Sequence, residues 1–233
     1  MKTVCLLSGG LDSTTLVAHM RGRGHEVIAL SVYYGQRHAK ELNAAGRIAA
    51  HFGIERVEID LGAVRDLFAG SGSSQVTEAP VPEGHYAESN MRSTVVPNRN
   101  MIMLSVAAAL AISRKAHAVA FAAHAGDHAI YPDCRAAFVD AMRGALGRCD
   151  YEAIHLYAPF LLESKAGIVR HALALGVPIG LTWSCYQGGD IHCGRCGTCV
   201  ERAEAFSLAG VADPTVYADN EFWKLAVQQA PAL

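Results

Sequence analysis

Short apolar runs alternate with stretches of helical spacing along most of the chain. Residues 2–7 form an apolar run that stops at Ser8-Gly9-Gly10-Leu11-Asp12-Ser13, and helical periodicity takes over across 14–21, which predicts strand, tight loop and helix. Residues 26–32 and 54–60 read as buried strands, and the alanine-rich stretch 36–52 between them as a helix ended by Gly53. The second half repeats the rhythm, with helices predicted over 98–115, 136–146 and 164–175 and strands over 118–123 and 153–158. Short helical stretches at 201–208 and 220–229 follow. Strands alternating with helices predict an α/β fold around a parallel, Rossmann-like sheet, as one domain over 1–233 with a helical extension at 200–233. Only 69–97, rich in glycine, serine and proline, has no period, and it is expected to be a long surface loop or lid.

Composition narrows the class. Of 233 residues, 51% are hydrophobic and 18% charged, which is globular rather than disordered. The apolar runs are short and interrupted, so no membrane association is expected. A net charge of −2 offers no field that would gather a polyanion, and nucleic acid is not the expected partner. Residues 1–7 carry one lysine and lead straight into the glycine motif, without the pattern of a secretory leader; the expected location is cytoplasmic.

The glycine motif lies between a strand and a helix, the place where a backbone can close on a phosphate. Gly9 and Gly10 permit close approach, the helix start offers unpaired N–H groups, and Ser8 and Ser13 add hydroxyls. A glycine-rich turn used only for packing has the same look. A second motif crowds four of the seven cysteines into Cys185, Cys193, Cys196 and Cys199, among Gly188, Gly189, Gly194 and Gly197. An odd total, clustered rather than spread, speaks for a metal rather than a disulfide framework. Four thiolates make a closed tetrahedral zinc site with a structural role, and an iron–sulfur cluster is the other group such a set holds. His192, beside a ligand, reads as a solvated or neighbouring residue, and Cys5 and Cys149 as small apolar groups.

The string Ser8-Gly9-Gly10-Leu11-Asp12-Ser13 resembles the PP-loop of enzymes that cleave ATP between its α- and β-phosphates, the adenine nucleotide α-hydrolase type. Four further strings occur in fixed order: Tyr34-Gly35-Gln36-Arg37-His38, Val96-Pro97-Asn98-Arg99-Asn100, Tyr131-Pro132-Asp133-Cys134-Arg135 and Thr182-Trp183-Ser184-Cys185-Tyr186. Together they resemble the 7-cyano-7-deazaguanine synthase family over roughly 2–214. The resemblance implies an ATP-dependent ligase making a queuosine precursor from 7-carboxy-7-deazaguanine and ammonia, with magnesium, a structural zinc and a homodimeric assembly. It places ATP on Ser8, Gly9, Gly10, Leu11, Asp12, Ser13, Thr14, Thr15 and Leu16, with Asp12 organising phosphates and magnesium. Asp12, Ser13, Arg99 and Lys165 become the catalytic candidates, and Tyr34, Gln36, Asp127, Tyr131, Asp133 and Arg135 the substrate-binding ones. Lys165 also suits a solvated helix end, and Asp133 a cap for the helix near Arg135. His124 and His128 are acid–base candidates by residue type. The chain departs from the family's usual pattern at His128-Ala129-Ile130, Val95 and Asn98. Two other readings share parts of the pattern: a tRNA thiolase or other adenylating relative, and a non-catalytic zinc-ribbon module.

Overall fold

The computed structural model describes residues 1–37 and 40–230, so His38 of the Tyr34–His38 string lies outside the described residues. Strands β1 (Lys2–Leu6), β2 (Glu26–Tyr33), β3 (Glu55–Asp60), β4 (Ala118–Ala120) and β5 (His155–Tyr157) form one parallel sheet in the order β3-β2-β1-β4-β5. The α/β expectation holds. The chain winds outward from β1 through β2 to β3, then restarts beside β1 with β4 and β5. This reversal opens a crevice outside the carboxyl ends of β1 and β4.

Period-two alternation decides which helix meets which residue. Val4 joins the cluster built on α3 (Arg99–Ser113) and α4 (Ala136–Leu146), whereas Cys5 and Leu7 join α1 (Leu11–Gly22), α2 (Lys40–Phe52) and Ile168 of α5 (Lys165–Ala174). Burial drives the Cys5 thiol up to about 12, so it is inert packing. The edge strand β3 instead exposes Glu55 and Glu58 and pairs through β2 alone, charges that discourage further strand addition. The run Ser89–Ser113 is long and apolar enough to cross a membrane by length and composition alone. It is broken by a 3-10 turn (Ser89–Thr94) before α3, and α3 covers the sheet at β1 and β4.

Several boundaries move, each for a local reason. α1 begins at Leu11 rather than 14: Gly10 is extended, and Thr14 donates from its N and Oγ1 to Gly10 O at 3.1 and 2.7 Å. Asp12 and Ser13 therefore sit in the first helical turn. α6 (Gly197–Ala209) likewise begins inside the cysteine motif, with Cys196 as its extended N-cap residue. β4 and β5 span three residues each, because the chain beyond Ala120 turns out of the sheet toward the crevice.

The segment 69–97 is irregular, as expected, but it is anchored to the core: two 3-10 turns (Gly62–Ser71 and Ser89–Thr94) bound it, and Tyr86 and Met91 are buried in the main cluster, Val81 against the cysteines, and Val76 with Phe68 and Val96. Serine and threonine satisfy much of its backbone locally, as in Thr77 N to Ser73 O at 2.9 Å and Thr77 Oγ1 to the same oxygen at 2.8 Å. Single anchors at irregular intervals leave no periodic trace. Asn98, at φ 59°, ends the segment in the left-handed region, which asparagine tolerates better than most residues.

Candidate active site

A cavity of about 270 Å³ opens at the carboxyl ends of β1, β2 and β4. One end, the one the glycine motif marks as a candidate for phosphates, is made by Ser8, Gly10, Leu11, Asp12 and Ser13 with Lys165 from the start of α5. Gly9 faces away. Its φ is +94°, and a Cβ there would lie 2.3 Å from Glu41 O, so glycine lets the turn rest on α2. Gly9 O also accepts from Trp183 N at 2.9 Å. Thr14, Thr15 and Leu16 are buried along α1 outside the cavity lining, the two threonines bonding carbonyls one turn back.

Lys165 gathers the charges. Its Nζ lies 2.6 Å from Asp12 Oδ2 and 3.3 Å from Glu201 Oε2 of α6. It is therefore a partnered residue and not the solvated helix end that its position also suited. His124, which is 1% exposed, places Nε2 at 3.4 Å from Lys165 Nζ, 3.5 Å from Asp127 Oδ1 and 3.8 Å from Glu201 Oε1. Its Nδ1 faces Gly126 N at 3.1 Å, which turns Nε2 toward Lys165 and the carboxylates. Burial alone would raise Asp12, but Lys165, His124 and Arg202 together hold it below the ordinary carboxylate value. Glu201 stays raised because burial outweighs Lys165 and His124. Burial opposes the charge on Lys165, yet Asp12 and Glu201 win and keep it an ammonium. Asp12 Oδ1 is buried without a hydrogen-bond partner among the described residues.

The other end is aromatic. Tyr34, Tyr86, Tyr131 and Tyr186 line it with Leu30, Met103, Glu41 and Arg99. Tyr131 Oη is 2.7 Å from Thr94 Oγ1 and 3.5 Å from Tyr186 Oη, and Tyr86 Oη donates to Asp127 Oδ1 at 3.3 Å. The Arg99 guanidinium lies 6.0 Å from the Tyr34 ring centre. Gln36 lines the cavity, but its amide shapes the chain, accepting from Tyr34 N at 2.8 Å and donating to Val32 O at 3.2 Å. Asp133 and Arg135 lie outside the lining. Asp133 Oδ2 accepts from Asn100 N at 3.0 Å in the first turn of α3, and Arg135 Nε donates to His128 O at 2.8 Å. Asp133 therefore holds α3, and not the helix after Arg135. Sequence reading missed Glu41, Tyr86 and Glu201; for Glu201 a signal existed, since it follows the last cysteine by two residues on the same helix.

The four cysteines converge. Their sulfurs lie within 4.8 Å of one another, with Cys193 Sγ and Cys199 Sγ 3.9 Å apart, close to the roughly 3.8 Å that a tetrahedral ion with ~2.3 Å bonds to sulfur imposes. Backbone N–H groups of Arg195 and Cys196 point at Cys193 Sγ at 3.4 and 3.3 Å, and that of Cys193 at Cys185 Sγ at 3.3 Å, donors that favour thiolates. The donor set fits a tetrahedral metal. Chain continuity ties this centre to the cavity: Ser184 and Tyr186 flank Cys185, and Thr198 and Glu201 flank Cys199, and all four line it. Arg202, 1% exposed, adds a buried brace, with Nε and Nη2 on Asp213 at 3.0 and 3.2 Å and Nη1 on Thr182 Oγ1 at 2.8 Å. His192 is buried rather than solvated: Ser184 N donates to its Nε2 at 3.1 Å, its ring lies 4.3 Å from that of Trp183, and burial lowers it to about 4.

A family model described as "Queuosine biosynthesis protein QueC" matches residues 2–210. The chain belongs to the QueC family. Relatives of this QueC chain include the 7-cyano-7-deazaguanine synthases of Rhizobium etli, 51% identical over 100% of this chain and 98% of the relative, and of Agrobacterium fabrum, 52% identical over 98% and 97%. That of Ruegeria pomeroyi is 51% identical over 98% and 99%. Among solved structures, NMN synthetase from Francisella tularensis aligns with a TM-score of 0.51 at 16% identity, covering 100% of this chain and 87% of that one, a likeness of fold alone. The resemblance carried by the five motifs is borne out at the level of the family, and with it an enzyme of queuosine precursor synthesis.

Proposed function

We propose that this QueC enzyme converts 7-carboxy-7-deazaguanine and ammonia to 7-cyano-7-deazaguanine with two ATP. The reading is carried by one continuous cavity whose first end suits phosphates and whose second suits a flat heterocycle bearing a carboxylate. A carboxylate oxygen attacks the α-phosphorus, pyrophosphate leaves, and ammonia displaces AMP from the acyl-adenylate to give the amide and a proton. The amide oxygen then attacks the α-phosphorus of a second ATP, pyrophosphate leaves, and loss of AMP and the two amide protons leaves the nitrile. Gly10 and the first N–H groups of α1 receive phosphate oxygens, with Ser8 and Ser13 hydroxyls beside them. Lys165 neutralises charge developing on the α-phosphate, which is where positioned cations act most strongly. Arg99 holds the substrate carboxylate, and Tyr34 and Tyr131 contact the ring.

Magnesium suits Asp12, whose buried Oδ1 lacks a partner among the described residues; when bound, the ion would supply further charge neutralisation to the phosphates. Zinc suits the four cysteines, in a structural role with no open position. All seven cysteines are unpaired, in keeping with a reducing, cytoplasmic setting; the homodimer rests on family resemblance alone. Mass spectrometry of products from magnesium-ATP, ammonium and 7-carboxy-7-deazaguanine tests the reading. Amide followed by nitrile, with AMP, is expected from the wild type and is lost in Asp12→Ala. AMP without nitrile means a different acceptor, and untouched ATP overturns the reading.

A further inference from the structure

The acids lining the cavity fall into two sets. Asp12, Asp127 and Glu201 are occupied with Lys165, His124 and Tyr86 at the phosphate end. Glu41, in the first turn of α2, lines the same cavity beside Tyr34 and Arg99, and its carboxyl has no hydrogen-bond or ion-pair partner among the described residues. Its residue is half-buried at the cavity wall, and that burial pushes its carboxyl up to about 7 against the pull of Arg99. Arg99 also makes no ion pair among the described residues and is bounded by Tyr34. An acid without a hydrogen-bond partner and a guanidinium without an ion-pair partner on one aromatic-walled end define what fits: a flat ring with a carboxylate and, apart from it, an edge of N–H donors.

We infer that Glu41 is a specificity-determining residue that accepts the ring N–H and exocyclic NH₂ of the 2-aminopyrimidinone edge while Arg99 takes the carboxylate. This rests on the proposed function. The two donors of that edge are parallel and match the two oxygens of one carboxylate. Adenine offers an amino donor beside a ring acceptor, which an ionised carboxylate repels. Glu41 thus separates the deazaguanine from the adenine of ATP within a shared cavity, and a buried acceptor left unpaired is what makes a site reject an analogue lacking the donor.

The test compares wild type and Glu41→Gln, a variant of nearly equal volume, on 7-carboxy-7-deazaguanine and on the same acid lacking the 2-amino group. AMP release is followed, and the melting temperature is checked for retained fold. Wild type is expected to lose on the order of 10- to 100-fold in kcat/KM on the analogue. Glu41→Gln should lose a similar factor on the true substrate through KM, discriminate the two acids by less than about threefold, and keep its KM for ATP. A variant that discriminates as sharply as wild type, or whose defect lies in the KM for ATP, overturns the role of Glu41 and leaves the enzyme reading intact. A wild type that turns over neither acid overturns the functional reading, and the Glu41 role with it.

Discussion

The two ends of the cavity are built on opposite principles. At the phosphate end every charged side chain already has a partner: Lys165 with Asp12 and Glu201, His124 with Asp127. At the aromatic end Arg99 and Glu41 make no ion pair among the described residues, Arg99 being held by Tyr34, and tyrosine hydroxyls bond mostly to one another and to Thr94. On the proposed function the difference reflects what each end would receive: phosphates would bring several negative charges and a cation to an ammonium held by acids that can pass to a metal, and a flat ring would bring donors and area to rigid walls with a few open polar groups.

Metal removal should disturb both ends together, because Ser184, Tyr186, Thr198 and Glu201 all adjoin the cysteines. Stripping the protein with a strong zinc chelator is expected to lower the melting temperature by more than about 10 °C and to raise amide exchange across 182–201. If exchange rises only at the cysteines themselves, the two ends do not hang from a common support.

Lys165→Ala separates the ends. Asp12, Glu201 and Asp127 would face one another without their ammonium, and AMP formation should fall on the order of 10³-fold. Calorimetric affinity for 7-carboxy-7-deazaguanine should change less than about threefold, since Lys165 is at the far end of the cavity; an equal loss of both would make the division artificial.

The aromatic end has its own pH signature. Glu41 is pushed from 4.5 up to about 7, so between those values the folded chain holds a proton that the unfolded chain has released. The sign follows: this contribution to stability is present below the lower value and is lost as pH rises toward 7. Urea unfolding of wild type and Glu41→Gln should diverge by at least about 1 kcal/mol in that window, with the variant gaining as pH rises. Parallel curves would place Glu41 in water.

Asp133→Ala should be the mildest change. Removing the acceptor for Asn100 N should cost about 1 kcal/mol of stability, with substrate KM unchanged. A raised KM would return Asp133 to the substrate, where its motif had suggested it belonged.

These residues show how much of the site could be read from the chain. The glycine motif was legible because a strand, a tight turn and a helix start are contiguous, and contiguous residues share one local geometry. The cysteines were legible because one ion demands closely spaced ligands. Lys165 stood on weaker ground, being 153 residues from Asp12 and joined to it only by the packing of α5 beside α1. Asp133 shows the reverse error, since a short motif records adjacency without saying which residue faces inward. The anchoring of 69–97 was not legible because its buried residues follow the shape of the surface they fill rather than any helical or strand period.

The sequence by itself determined the order of strands and helices, the glycine turn between β1 and α1, the clustering of four cysteines that could hold a metal, and the family. All of these depend on residues close in the chain or on motifs in fixed order. Only the tertiary structure decided that Glu201 reaches Lys165 from the cysteine-bearing helix, that His124 turns Nε2 toward that ammonium and its carboxylates, and that Glu41 stands without a hydrogen-bond partner beside Arg99 among the described residues. Those outcomes depend on which side chains the sheet reversal at β1 brings face to face, and burial and pairing between distant segments have no counterpart in local spacing.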